Sequence, residues 1–288
     1  MDDNSISTAP IAVGIADKQP ALLDFARVEA ERASCGIMLV HAYTVPAVAM
    51  GSMYGIEVPE AFRAAGQDVL DEAAHYLTKR GVTASIGSVL THSDPAAALD
   101  EATRTARLMI IGPDEHRPWY GKLFEGQVAR RLAEHAECPV IVVPDSWERS
   151  HDNGPVVVMV DAQTNARGPL QFAFETALAR GSDLRVLHVA TSDSVGRDTH
   201  WEAIRRVVTA WFERHPHVHG EIQVVDGDVR DAALRASDGT GLLIVGRPHE
   251  RHVTSILTDS VAQQIIAGSG CPVAVVAGSY RPHRPARD

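Results

Sequence analysis

Two stretches of the chain join a short apolar run to a glycine and a polar loop, a combination that can bind phosphate. Gly112 and Gly246 each end such a run, and the polar loops 113–125 and 247–259 lead from them into helical patterns. The N-terminus of a helix presents free backbone N–H groups and the positive end of its dipole, which suits a phosphate. The spacing therefore indicates two candidate anion sites in one chain.

A carboxylate stands near each candidate site in the predicted sheet. The first strand-like run of each half ends at Ala16-Asp17 and at Asp161. In an open α/β sheet, ligands bind beyond the carboxyl ends of the strands, at the point where the strand order reverses. For the strand order 3-2-1-4-5, that point lies between strands 1 and 4, so Asp161 and Gly246 are expected to border the same crevice.

The segment His215-Pro216-His217-Val218-His219 alternates three histidines and raises the question of a metal site. On an extended segment all three would face one side, but no cysteine or carboxylate cluster stands beside them, as a metal site would need. An exposed turn between a helix and a strand is the simpler interpretation, and we predict no metal site.

Four further residues occupy equivalent positions in the two halves. Cys138 and Cys271 begin apolar strands and are predicted to be buried, unreactive thiols. His41 and His188 end equivalent strands, where they either line the crevice or hydrogen-bond a loop; we favour the hydrogen bond. The segment 44–59 is longer than its counterpart, and a lid, an interaction surface and an unstructured excursion all remain open.

Composition describes an ordinary globular chain. Of 288 residues, 45% are hydrophobic and 22% charged, and the net charge is −10. An acidic surface argues against nucleic acid and anionic membranes as partners. No signal peptide or membrane-spanning run is evident, and three widely spaced cysteines suggest reduced thiols, so a cytoplasmic location is expected. The predominance of Arg over Lys indicates a GC-rich bacterial genome.

The chain is an internal duplication, since four blocks recur in the same order. The clearest are the run 108–112, which recurs at 242–246, and the run 138–143, which recurs at 271–276. Each copy alternates apolar strand runs with helical patterns, as a parallel sheet covered on both faces requires. The predicted strands are 11–15, 37–42, 84–89, 108–111, 140–143, 156–160, 184–189, 221–225, 242–245 and 273–276.

These patterns predict an α/β fold with two tandem, doubly wound, five-stranded parallel-sheet domains of strand order 3-2-1-4-5. The first domain covers 1–145, a polar linker covers 146–155, the second domain covers 156–278, and a flexible tail covers 279–288. The linker boundary rests on the chain-breaking sequence at 153–155.

The order strand, Gly, loop, helix, Cys-Pro-Val-x-Val-Val, present twice, resembles tandem members of the universal stress protein family. The resemblance implies an adenine nucleotide alpha hydrolase-like fold. It also implies a nucleotide site with an Asp after strand 1 and a G-x2-G-x9-G-[ST] motif after strand 4. It further implies that strands 140–143 and 273–276 pair across an intramolecular pseudo-dimer; as apolar edge strands, both need covering.

Carried over residue by residue, the resemblance assigns a tentative ATP site to the second domain only. The residues implied there are Asp161, Val189, Gly246, Ser260 and Val261. His249 and Asp259 replace the motif's later glycines, and side chains there obstruct close approach of a polyphosphate. In the first domain Gly112 fits, but Gly126 comes one residue late and no hydroxyl follows it. Ala16 replaces the aspartate and Glu115 replaces a glycine, so binding there is not expected.

The resulting hypothesis is a non-catalytic stress-response or regulatory module with at most weak nucleotide binding in the second domain. Two alternatives remain: an ATP-binding sensor or slow ATP hydrolase using the second domain, and a protein-interaction scaffold that has lost nucleotide binding. The absence of G-x-S-x-G, a Walker-type lysine and a CxxC pair favours a protein that is not an enzyme. The sequence leaves the protein partner and a homodimer of the whole chain open.

Overall fold

The structure is a computed structural model that describes residues 9–45, 57–113, 128, 131–132, 135–160, 166–190, 197–247 and 259–282. The chain divides into two compact units, with the boundary between Glu137 and Cys138. The second unit extends to Pro282. The two units are considered separately.

The first unit alternates strands and helices from its first described residues. Its elements are β1 Ile11–Gly14, α1 Pro20–Ala33, β2 Ile37–Tyr43, α2 Glu57–Lys79, β3 Ile86–His92, α3 Pro95–Thr103 and β4 Leu108–Ile111.

The second unit repeats this alternation and adds a strand before it. Its elements are β5 Val140–Val142, a short 3-10 helix Arg149–Asn153, β6 Val156–Val160, α4 Arg167–Arg180, β7 Leu184–Ala190, α5 Arg197–Arg214, β8 Gly220–Asp226, α6 Val229–Ser237, β9 Leu242–Gly246, α7 Asp259–Gly268 and β10 Val273–Val276.

The sheets confirm the predicted α/β fold. The first unit has the parallel strand order β3-β2-β1-β4. The second unit has the order β5-β10-β9-β6-β7-β8, in which β5 is antiparallel to β10 and the other neighbours are parallel. The strand order 3-2-1-4-5 predicted for each domain is confirmed in the second unit by β8-β7-β6-β9-β10, and the first unit has the first four members in that order. The fifth strand predicted for the first domain, β5, lies within the second compact unit and pairs with β10, so the strands do not form two separate five-stranded sheets.

The predicted pairing of 140–143 with 273–276 is confirmed by the register of β5 and β10. Val142 lies opposite Val273, and Val140 lies opposite Val275. Both strands are buried along their whole length. Antiparallel pairing satisfies the backbone groups that an apolar edge strand would otherwise expose.

Two segments predicted to connect or follow the domains are packed. In the predicted linker, Trp147 is buried and Asp152 forms an ion pair with Arg180, between Asp152 Oδ1 and Arg180 Nη1 at 3.1 Å. In the predicted tail, the Tyr280 hydroxyl donates to Glu175 at 3.0 Å, and its ring packs edge-on against Phe172. The packed part of the second unit therefore extends through Tyr280.

Local sequence explains where the short third helix of each copy begins. Asp94 caps α3 by accepting from the Ala97 N–H at 3.0 Å, and Asp228 caps α6 by accepting from the Asp231 N–H at 3.0 Å. A side-chain oxygen at the N-cap satisfies a backbone donor that has no partner within the helix. Pro95 then occupies the first helical position, where its missing N–H costs nothing.

Candidate functional site

The crevice expected at the switch point differs between the two units in its strand pairing. In the first unit, β1 and β4 pair along all four residues, up to Gly14 opposite Ile111. In the second unit, β6 and β9 pair over three residues only, ending at Val158 opposite Ile244. Each of these strands continues for two residues beyond that point without pairing to the other. Since Gly14 and Ile111 correspond to Met159 and Val245, the ladder of the second unit ends one residue pair earlier than that of the first.

A glutamine side chain lies in the switch point of the first unit. Gln19, the residue before α1, is only 5% exposed, and its Oε1 accepts from the Ala16 N–H at 3.2 Å. Its amide nitrogen lies directly over Gly112, so a Cβ at that glycine would clash with it. The space bordered by strands 1 and 4 is thus occupied by the chain itself.

The second unit carries no such side chain at the equivalent position. The residue before α4 is Ala166, which stands where Gln19 stands before α1. Among the described residues, a Cβ at Gly246 would meet only Pro169 Cγ, at 3.5 Å, an ordinary van der Waals distance. The methyl group of Ala166 cannot span the crevice as the glutamine amide does, so this switch point is not filled from the same position.

The residue after strand 4 adds a second difference between the units. Arg247 follows Gly246 and is half-buried, and its backbone N–H donates to Val276 O at 2.8 Å. Pro113 occupies the corresponding position after Gly112. The second unit therefore carries an arginine, held by its backbone, at the position where the first unit has a proline.

The equivalent histidines bond to the end of strand 1, as favoured from the sequence. His41 Nδ1 lies 2.7 Å from Ile15 O, and His188 Nδ1 lies 3.1 Å from Val160 O. A carbonyl oxygen only accepts, so Nδ1 carries the hydrogen in both rings. His188 is buried, whereas His41 is partly exposed.

The structure describes the tentative nucleotide residues in part. Val189 is buried near the end of β7, and Gly246 ends β9. Ser260 and Val261 lie in the first turn of α7, with Val261 partly exposed. Asp161 lies outside the described residues, so its approach to Gly246 stays a prediction.

In the first unit, Gly112 follows β4 and lies beneath the Gln19 amide, which fills the crevice. Gly126 lies outside the described residues. The larger parts of the loops that follow β4 and β9 lie outside them as well. Sequence reasoning missed Gln19. The available signal was a glutamine directly before Pro20, which marks a helix start, where the second copy has alanine.

The histidine-rich segment is explained by packing. His215 stacks on Trp211, with ring centroids 5.4 Å apart, and its Nδ1 lies 2.9 Å from Trp211 O. His217 and His219 are exposed. In the part of the chain that the structure describes, no three metal-binding side chains form a cluster.

Cys138 and Cys271 are buried, as predicted, and Cys35 is buried as well. Burial raises the pKa of the Cys35 thiol and of the Cys271 thiol above the ordinary value. The Cys271 N–H also donates to the Ser269 hydroxyl at 3.2 Å. Since the thiolate is the reactive form, these two side chains are held in their unreactive state. No helix among the described residues is long and apolar enough to cross a membrane.

Comparison with known proteins gives matches over nearly the whole chain. The sequence model of the universal stress protein family matches residues 9–144 and again residues 153–277. A universal stress protein of Mycobacterium tuberculosis strain H37Rv is 28% identical over 292 aligned residues, covering 93% of this chain and 96% of that relative.

Solved structures share the fold at lower sequence identity. A universal stress protein from Archaeoglobus fulgidus aligns with a TM-score of 0.67 and 17% identity, covering 92% of this chain and 95% of that one. A protein from Pseudomonas aeruginosa UCBPP-PA14, described as a universal stress protein, aligns with a TM-score of 0.63 and 15% identity over 95% of each chain.

Proposed function

The chain belongs to the universal stress protein family, in a tandem arrangement, and we propose that it is a non-catalytic regulatory module that binds an adenine nucleotide in its second unit. ATP is the nucleotide to test first. The binding is weak, and the nucleotide acts as a signal rather than as a substrate.

The early end of the β6–β9 ladder is the observation that carries this proposal. Pairing stops at Val158 and Ile244, two residues before either strand ends. Ligands of doubly wound sheets enter where neighbouring strands diverge at the switch point. In the first unit the ladder runs one residue pair further, to Gly14 opposite Ile111, and Gln19 lies over Gly112.

The surrounding residues supply the two kinds of contact that a nucleotide needs. Gly246, Arg247 and the first turn of α7, with Ser260 and Val261, lie on the phosphate side, where backbone donors and a cation favour negative charge. Asp161 follows β6, and Val189 lies on β7. We assign these two residues to the ribose and the base. The late glycines of the family motif are replaced here, which is the reason to expect weak binding.

The non-catalytic part of the proposal concerns the chemistry at the same crevice. Of the described residues that border it, Val160, Val189 and Gly246 carry no acid or base in their side chains, and Arg247 carries a guanidinium. The nearby imidazole of His188 has its Nδ1 committed to a backbone carbonyl. We therefore expect ATP to be bound and released unchanged.

Nucleotide content and calorimetry test the proposal together. Protein purified without added nucleotide is denatured and its supernatant is analysed for adenine nucleotides, and the folded protein is then titrated with ATP. Binding is expected in the wild type and in the control Asp17→Ala, and is expected to be lost in Asp161→Ala.

The alternatives give different outcomes in the same assay. No binding at millimolar ATP would contradict the proposal and favour a scaffold that works through protein partners. Release of phosphate faster than a protein-free control, abolished by Asp161→Ala, would show a slow hydrolase instead.

A further inference from the structure

β3 is the outermost strand of the first unit, and its outer edge is exposed. All seven of its residues pair with β2, from Ile86 opposite Ile37 to His92 opposite Tyr43. Among the described residues, no strand lies on its other side. Val89 ends a run of three exposed residues and is itself 41% exposed. An uncovered edge of this length is a template for pairing with another chain.

The direction of the backbone groups of β3 follows from its pairing with β2. The Ile37 N–H donates to Ser85 O at 2.9 Å, so the carbonyl of Ser85 points towards β2. Along a strand, the N–H and C=O groups of successive residues point to opposite sides. The residues of β3 whose N–H and C=O groups point away from β2 are therefore Ile86, Ser88, Leu90 and His92.

β3 lacks the side chains that commonly protect an exposed strand edge. None of its residues is Asp, Glu, Lys, Arg or Pro. β8, the outermost strand of the second unit, carries Glu221 near its start and Asp226 at its end. Charged side chains and proline on an edge strand oppose pairing with another chain. β3 can therefore accept a further strand without bringing like charges together.

We propose that two copies of the chain form a homodimer in which the β3 strands pair antiparallel, with the twofold axis at Val89. This register places Ser88 of each copy opposite Leu90 of the other. It also places Ile86 of each copy opposite His92 of the other, so that every outward-facing residue of β3 is hydrogen-bonded. Val89 is the midpoint of β3, and any other register leaves one end of the strand without a partner. The dimer does not depend on the nucleotide site proposed above.

The residue at the axis explains why the occupant is a second copy of this strand. The two Val89 residues lie directly opposite each other in a non-hydrogen-bonded pair, in which side chains lie closest. Each is exposed in the single chain, so pairing removes apolar surface from water. A twofold contact requires a surface that complements itself, which a neutral strand with an apolar midpoint provides. The midpoint of β8 is instead Gln223, whose amide donates to Glu221 at 2.6 Å.

Sedimentation velocity of the full chain at increasing concentration tests the dimer. The wild type should pass from monomer to dimer between about 1 and 100 μM, since one pair of strands makes a contact of less than standard size. Val89→Lys should weaken the dimer at least about tenfold, because it places two like charges side by side at the axis. Val224→Lys is the matched control: Val224 is 43% exposed on β8, and its replacement should leave the dimer unchanged.

Disulfide cross-linking tests the register. At the axis the two Val89 Cα atoms are expected about 4.5 Å apart, a separation that a disulfide can span. Val89→Cys should therefore give a covalent dimer on a non-reducing gel after mild oxidation. The three native cysteines are buried, so the wild type should give none, and Val224→Cys should give far less.

Ser88→Pro provides a second way to break the dimer without adding a charge. It removes an outward-facing N–H, and proline is tolerated at such a position of an edge strand. Circular dichroism and thermal unfolding establish that each variant is folded. A wild type that stays monomeric at about 100 μM overturns the proposal. A dimer that survives both Val89→Lys and Ser88→Pro overturns it as well, as does equal cross-linking of Val89→Cys and Val224→Cys.

Discussion

The switch points of the two units share a strand order but differ in the side chains that lie at them. In the first unit, β1 and β4 remain paired to their ends, and Gln19 covers Gly112. In the second unit, the β6–β9 ladder ends one residue pair earlier, at Val158 opposite Ile244, and Ala166 replaces the glutamine. The first copy has therefore filled its switch point with its own side chain, whereas the corresponding position of the second copy carries only a methyl group.

The parts that the two copies share are those that hold the frame. His41 and His188 bond to the same strand-end carbonyl, and Asp94 and Asp228 cap the same helix. These interactions stabilise the chain whether or not a ligand is present. At the switch point itself the copies differ, since Gln19 precedes the first helix of one and Ala166 precedes that of the other.

The largest expected effect concerns a buried ion pair found in the second unit. Arg180, the last residue of α4, pairs with Asp152, and their side chains are 1% and 5% exposed. The last residue of α1 is Ala33. Arg180→Met should lower the free energy of unfolding by about 3 kcal/mol, because it leaves a buried carboxylate without its cation. Urea denaturation measures the change.

Arg185→Met is the matched control for that prediction. Arg185 pairs with Glu221 at 3.2 Å, but their side chains are 34% and 58% exposed. Its loss should cost less than about 1 kcal/mol. Similar losses in the two variants would mean that burial does not distinguish these ion pairs.

An intermediate effect is expected when the filled crevice is emptied. Gln19→Ala removes the acceptor of the Ala16 N–H and leaves a gap over Gly112, and should cost about 1–2 kcal/mol of unfolding free energy. Gln67→Ala is the control, since Gln67 bonds to Asp71 on an exposed helix surface, and should cost less than about 0.5 kcal/mol. Denaturation curves that coincide for Gln19→Ala and the wild type would show that the glutamine does not stabilise the first unit.

The smallest effect comes from a methyl group added to each switch-point glycine. Gly112→Ala must displace the Gln19 amide and should cost about 1 kcal/mol. Gly246→Ala places its methyl group at ordinary contact distance from Pro169 and should change stability by less than about 0.5 kcal/mol. Thermal unfolding of the two variants compares them, and a larger loss for Gly246→Ala would reverse the assignment of the filled and open crevices.

The sequence predicts the frame well because the frame depends on apolar runs and turn residues. All ten predicted strands are present, and Asp94-Pro95 begins a helix as its residue types indicate. The strand predicted at 84–89 is observed at Ile86–His92, because an exposed edge strand carries polar residues that the apolar pattern does not include. The grouping of β5 with the second unit depends on pairing between residues far apart in the chain, which no local pattern contains.

The crevice is less predictable because its state depends on single side chains and on where a ladder stops. The repeat points to Gly112 and Gly246 as equivalent, yet nothing in either loop shows that Gln19 lies over one of them. Substitutions such as Ala16 for Asp161 indicate which copy has lost ligand residues. Only the three-dimensional arrangement shows what occupies the space that was left.

The central claim is that the residue before the first helix of each unit decides whether its crevice can bind a ligand. Swapping these residues between the units, at positions 19 and 166, and titrating each variant with ATP in a calorimeter tests that claim most directly. The wild type should bind ATP at a single site per chain. Ala166→Gln, which transfers the obstructing side chain to the second unit, should weaken that binding at least about tenfold, equivalent to about 1.4 kcal/mol. Gln19→Ala should bind ATP as the wild type does. Wild-type affinity in Ala166→Gln, or loss of binding in Gln19→Ala, would contradict the account.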